Sequence, residues 1–231
     1  METVDLTSVM TPGGLRLDFP TERRIAALAM AWDDGANHQV AFLRKNRLGA
    51  ASGGGEYASM LSSADLVLPA EPQAAELAAA SKENALLRRE IGVPLHRKEY
   101  VDLYAPFETG EEEELIGAYQ PLRVLSAILS SFEPHGGSAF IIGGRPATLQ
   151  AAEANLKSTF PGLRIVGRSR GDYLPAEEAA VMSAVQKSAP NLILVGSFVR
   201  GAELWIPRHM RYTRSGLYFY DSDIVEVLAG R

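Results

Sequence analysis

The chain has 231 residues, 46% of them hydrophobic, a formal net charge of -5 and no cysteine. That apolar share suffices for the core of one large domain or two small ones. The acidic balance argues against a general nucleic-acid binder, which needs a basic surface against phosphates, and the lack of cysteine excludes disulfides and thiolate metal sites.

In chain order, residues 15–19 read as a first strand, and Thr21 as the N-cap of a helix running to about Trp32, which Asp33-Asp34-Gly35 ends. Residues 39–43 form the next strand. After the glycines Gly53, Gly54 and Gly55 comes a short helix ending near Ser63, then a buried strand, Asp65-Leu-Val-Leu-Pro69, stopped by proline. The alanine-rich stretch 74–90 has strong helical propensity and no evident chemistry. Residues 104–114 read as a loop, with Glu111 to Glu114 as a solvated helix start rather than a metal site. A helix follows to about Phe132, with Pro121 in its first turn or at a kink. The best internal boundary then falls at 133–137, giving an N-terminal lobe, 1–135, and a C-terminal lobe, 136–231.

Three apolar runs of the C-terminal lobe end in glycine: Ala139-Phe-Ile-Ile-Gly-Gly144, Leu163-Arg-Ile-Val-Gly167 and Leu192-Ile-Leu-Val-Gly196. Short, branched and unalternated, they suit strands of a parallel sheet buried on both faces. Helical stretches at 146–160 and 175–189 separate them. The expected fold is α/β and Rossmann-like, a mostly parallel sheet flanked by helices, in two closely associated lobes. In such sheets ligands bind at the carboxyl ends of the strands, where these glycines lie.

The first turn, Gly143-Gly144-Arg145-Pro146, offers glycines for close backbone approach and a helix N-terminus for an anion. A tight turn without ligand needs similar residues, and neither the dinucleotide fingerprint nor the phosphate-loop motif is present. The second turn, Gly167-Arg-Ser-Arg-Gly-Asp-Tyr173, adds Arg168 and Arg170 for phosphate, Gly171, and the Tyr173 ring for a base or sugar. The third, from Gly196, leads to Glu203 and Trp205. Convergence of the three favours a nucleotide-phosphate site. The histidines His38, His96, His135 and His209 show no metal-ligand spacing, so each is expected to be solvent-facing or hydrogen-bonded. The N-terminus lacks a signal-peptide pattern, and no run approaches the ~20 apolar residues of a membrane span, so a cytoplasmic protein is expected.

The order of these residues resembles the WecG/TagA/CpsF family of bacterial glycosyltransferases. The likeness lies in Gly143-Gly144-Arg145-Pro146, Phe160-Pro-Gly-Leu-Arg-Ile-Val-Gly167, Gly171 with Tyr173, Pro190-Asn-Leu-Ile-Leu-Val-Gly196 and Glu203-Leu-Trp-Ile206. The tail Val227-Leu-Ala-Gly-Arg231 looks like the usual end of the family's globular core, which commonly continues into a basic, aromatic, membrane-contacting appendage. The first half is similar more faintly: Ser63-Ala-Asp-Leu-Val-Leu-Pro69 looks like the strand before the family's Asp-Gly pair, but Ala70 and Glu71 follow. The family's proposed base is that aspartate. Asn46 matches an asparagine of its acceptor-side loop, and Arg97 with Asp102 keeps an arginine-to-aspartate spacing. Where the family reads Gly-x-Pro-Lys-Gln-Glu, this chain reads Phe198-Val-Arg-Gly-Ala-Glu203.

The resemblance implies a metal-independent, inverting hexosyltransferase that uses a nucleotide-diphosphate sugar, expected to be a UDP-sugar, as donor substrate and no cofactor. Its acceptor would be lipid-linked, at the inner membrane face, in cell-envelope glycan synthesis; self-association is also open. Glu71, then Asp102 and Glu203, are the candidate bases, with Arg97 on the catalytic side. Asn46, Gly143, Gly144, Arg145, Gly167, Arg168, Arg170, Gly171, Tyr173 and Gly196 are the expected donor contacts. Ala70 and Ala202 at functional positions keep open the alternative of a noncatalytic relative that binds a nucleotide sugar or a partner protein.

Overall fold

The computed structural model describes residues 7–11, 13–71, 74 and 119–231. Contacts divide the chain into one unit of Met1–Ile25 with Phe42–Ala127 and a second of Ala26–Ala41 with Ile128–Arg231. The division therefore falls a few residues before the expected boundary, and 26–41 belongs to the second unit. The expected helices at 74–90 and around 111–114 lie outside the described residues, apart from Ala74.

The first unit opens with β1 (Thr7–Met10), absent from the sequence reading, paired antiparallel with β2 (Arg16–Phe19). Asp18 is fully buried, and its carboxylate accepts Ser8 Oγ at 2.6 Å and the N–H of Val67 at 2.8 Å, with Arg16 beside it. A buried carboxylate is tolerable only when so satisfied. As expected, Thr21 caps α1 (Glu22–Ala31), its Oγ1 accepting the N–H of Arg24. The strand β3 (Asn37–Leu43) leads to a 3₁₀ turn, Lys45–Arg47, then α2 (Leu48–Ala51), α3 (Glu56–Ser63) and the buried β4 (Leu66–Pro69). Beyond Pro69, the N–H of Ala70 donates to Leu43 O. Pro121 stands at the start of α4 (Pro121–Phe132), where its missing N–H costs nothing.

The second unit carries β5 (Ser138–Ile142), α5 (Pro146–Thr159), β6 (Arg164–Ser169), α6 (Glu178–Ser188), β7 (Leu192–Val195), α7 (Trp205–His209), β8 (Gly216–Tyr220) and α8 (Ile224–Leu228). A 3₁₀ turn, Pro175–Glu177, precedes α6 within the stretch expected to be wholly α-helical. The strand order is β4-β3-β8-β7-β5-β6, and the pairs β3–β8, β8–β7, β7–β5 and β5–β6 are all parallel. Pairing of Asn37 to Val40 with β8 draws 26–41 into this unit.

Residues Phe140, Ile142, Ile193, Val195 and Tyr218 form one core cluster with Met182, Val185, Trp205 and Ile206. The alternate residues Ala139, Ile141, Leu192 and Leu194 are also buried, and strand pleating turns them to the opposite face. On α5, Leu149, Ala152 and Leu156 fall on one buried stripe. At roughly 1.5–3 kcal/mol per large apolar side chain, burial on both faces far outweighs local propensity in β5 and β7. The second run behaves differently. Strand β6 is the sheet edge, mostly half-buried with Arg164 and Arg168 exposed, so the expectation of burial on both faces fails there.

Candidate functional site

From β5 the chain steps outward to β6, then returns past β5 to β7 and on to β8. This reversal opens a crevice at the carboxyl ends of β5 and β7, the topological switch point where open α/β sheets take ligands. Gly143 and Gly144 leave β5 with φ of +127° and +70°, conformations that glycine alone adopts without strain. The N–H of Gly143 donates to Ser169 O, that of Gly144 to Ser197 O and that of Gly196 to Ile142 O. A Cβ on Gly143 would lie 2.8 Å from the carbonyl carbon of Gly196, and one on Gly171 3.0 Å from Gly143 Cα while striking Ser197 O. Three turns thus meet backbone against backbone. The N–H groups of Gly143, Gly144 and Gly196 are consumed within the turns, and the first turn of α5 adds donors that have no intrahelical partner. No side chain caps that helix, and its positive dipole end favours an anion.

Gly167 is not in a turn. The strand β6 continues to Ser169, Gly167 pairs with Phe140, and any Cβ there would collide with the Phe140 ring. Packing against Phe140 accounts for this glycine.

The arginines separate by their partners. Arg168 pairs with Glu153 of α5, and Arg170 lies 3.5 Å from Asp172 and 3.4 Å from Glu177. The hydrogen bond from Lys157 holds the Glu153 carboxyl below its ordinary range, with Arg168 adding to the effect. By contrast, Arg145 and Arg200 are exposed and make no ion pair among the described residues. The Arg145 guanidinium lies over the Phe198 ring, 5.9 Å from its centre.

Tyr173 packs against the core, and its hydroxyl accepts the Trp205 Nε1–H at 2.6 Å. Burial raises its pKa, with Glu178 adding to the rise and the Trp205 bond and Arg200 opposing it. Trp205 itself is fully buried and stacks on His209, whose nitrogens face Trp205 O at 2.6 Å and Glu178 Oε1 at 2.7 Å. His38 and His135 also make hydrogen bonds, to Asp34 and to Ser131 O, while His96 lies outside the described residues. Among the described residues no group of three His, Asp or Glu is placed to hold a metal.

Glu203 sits half-buried in a 3₁₀ turn, Ala202–Leu204, behind Gly201 at φ +89°. Ala202 (φ +50°) and Phe198 (φ +67°) also adopt left-handed backbone without being glycine. At Phe198 this costs about 1–2 kcal/mol, and the side chain is 54% exposed. Phe198 is not among the residues expected at the site, although it stands where the family pattern carries glycine, a signal of the left-handed turn. Next to it, Ser197 Oγ is buried with no hydrogen-bond partner among the described residues.

In the first unit, Glu71 Oε2 accepts the N–H of Lys45 at 2.7 Å, which places Glu71 beside the turn that carries Asn46. Arg97 and Asp102 lie outside the described residues. Among the described residues no helix is long and apolar enough to cross a membrane.

No curated protein matches this chain significantly. The family model described as Glycosyl transferase WecG/TagA/CpsF family matches residues 113–231, a stretch that includes the whole switch-point crevice. With its parallel sheet, glycine turns and more than half of its length so matched, the chain belongs to the WecG/TagA/CpsF family of glycosyltransferases.

Proposed function

We propose that this chain is a divergent glycosyltransferase that takes a sugar from a nucleotide-diphosphate donor, a UDP-sugar, and transfers it to a lipid-linked acceptor in cell-envelope glycan synthesis. The observation that carries the reading is the meeting of the Gly143, Gly171 and Gly196 turns at the switch point, beside the uncapped N-terminus of α5. A diphosphate there gains from the first-turn N–H groups and from two arginines free of ion pairs among the described residues, Arg145 and Arg200. In the inverting reaction a carboxylate takes the proton of the acceptor hydroxyl. The freed oxygen attacks the anomeric carbon from the face opposite the nucleotide, and the nucleoside diphosphate leaves with the electron pair of the broken bond. Positive groups that stabilise the departing diphosphate make a metal unnecessary. Glu71 is the candidate base, with Asp102 and Glu203 behind it, and Arg97 is kept as a further cation.

A second reading, a noncatalytic protein that binds a nucleotide sugar or a partner, is favoured by specific residues. Ala70 and Ala202 stand at the positions of the family's aspartate and glutamine, and alanine neither accepts nor positions a proton. Glu71 already accepts the Lys45 N–H. Titration with UDP and UDP-sugars, followed by turnover assays on lipid-linked acceptors, separates the two. Turnover that is lost in Glu71→Gln supports the enzyme, and binding without turnover supports the second reading. Failure to bind any uridine nucleotide removes both nucleotide-based readings.

A further inference from the structure

Phe198 carries two unfavourable features that nothing in the core offsets. Its backbone is left-handed at φ +67°, and its ring is 54% exposed although its neighbours Val195, Val199 and Trp205 all enter the core cluster. Strained backbone at an exposed aromatic residue is a reason to look for a ligand. The position is suited to one. The preceding residue, Ser197, accepts the Gly144 N–H through its carbonyl, and a Cβ on Gly171 would come within 3.0 Å of the Phe198 carbonyl carbon. Phe198 therefore projects from the switch point itself, and Arg145, the residue before α5, lies on its ring at 5.9 Å.

Resting on the nucleotide reading above, we propose that Phe198 is the stacking platform for the nucleobase, while Arg145 binds the phosphate of the same ligand. A phenyl ring offers a flat π face to any base. A guanidinium lying over that ring keeps its N–H groups directed outward, available to a phosphate oxygen. Phe198 and Arg145 are neighbours at one turn, so a base on the ring and a phosphate on the guanidinium, one ribose apart, are within reach of a single nucleotide. The pair thus matches the two ends of a nucleotide rather than an isolated anion.

Calorimetric titration of the wild type, Phe198→Gly and Phe198→Tyr with UDP and with inorganic pyrophosphate tests this. Phe198→Gly should weaken UDP roughly tenfold and leave pyrophosphate unchanged, and Phe198→Tyr should restore UDP affinity. The melting temperature of Phe198→Gly should not fall, because glycine suits the backbone, and this separates lost stacking from lost fold. Equal UDP affinity in the wild type and Phe198→Gly overturns the platform while leaving the nucleotide reading intact. Parallel loss of pyrophosphate also overturns it, since Phe198 would then only orient Arg145. Absence of UDP binding by the wild type overturns the nucleotide reading, and the platform with it.

Discussion

Glu71 and Lys45 are joined by a hydrogen bond of 2.7 Å, in which the Lys45 backbone N–H donates to Glu71 Oε2. The bond ties the residue after Ala70 to the 3₁₀ turn that carries Asn46, so the carboxylate has a structural task beside any chemical one. Replacement by glutamine keeps an oxygen that can accept this bond but removes the charge. Glu71→Gln should therefore keep the melting temperature, whereas Glu71→Ala should lose about 1 kcal/mol. If Glu71 is the base, Glu71→Gln lowers turnover roughly 100-fold. Turnover equal to wild type in a folded Glu71→Gln variant would leave the carboxylate with its structural task alone.

The glycines of the crevice are held by contact, and their substitution reads out as stability. Gly143→Ala adds a left-handed strain to a Cβ 2.8 Å from the Gly196 backbone, and Gly171→Ala drives a Cβ into Ser197 O. Each should destabilise by about 1–3 kcal/mol in denaturant titration. Gly49, inside α2, is the control, because a Cβ added there would meet nothing within 4 Å. Gly49→Ala should be neutral or stabilise by about 0.5–1 kcal/mol. A fully tolerated Gly171→Ala would refute the backbone contact between the turns.

These glycines also mark how far the sequence could be read. The runs at β5 and β7 are legible because burial on both faces demands uninterrupted apolar residues, and the first-turn proline of α5 and the Thr21 cap are local signals. The edge position of β6 is not local, and neither is the pairing of β3 with β8, which joins residues far apart in the chain. Gly167 shows the same limit: its composition matches a turn, but the demand for glycine comes from the Phe140 ring on the neighbouring strand. Similarly, the arginines of these turns read alike in sequence, and only their partners distinguish Arg168 and Arg170 from Arg145 and Arg200.

The sequence places Tyr173 among the ligand contacts, yet its hydroxyl is engaged by Trp205. Tyr173→Phe leaves a buried indole N–H without its acceptor and should cost about 1–3 kcal/mol. Nucleotide affinity should stay within about twofold of wild type if the hydroxyl serves only Trp205. A loss of UDP affinity with unchanged stability would instead assign the hydroxyl to the ligand.

Glu153 gives the stability a defined acid limb. Its carboxyl is held below the ordinary value of 4.5 by the Lys157 hydrogen bond first and by Arg168 second, against a burial effect of opposite sign. A carboxyl that is more acidic folded than unfolded binds fewer protons in the native state, so its contribution is fully present above the unfolded value. That contribution is lost as the pH falls below about 4.5 and through the lower folded value. Melting temperatures of the wild type and Glu153→Gln between about pH 3 and 7 should differ most above about pH 5 and converge at the acid end. A gap between the two curves that widens toward acid would reverse the sign and rule out the Lys157–Glu153–Arg168 arrangement as its source.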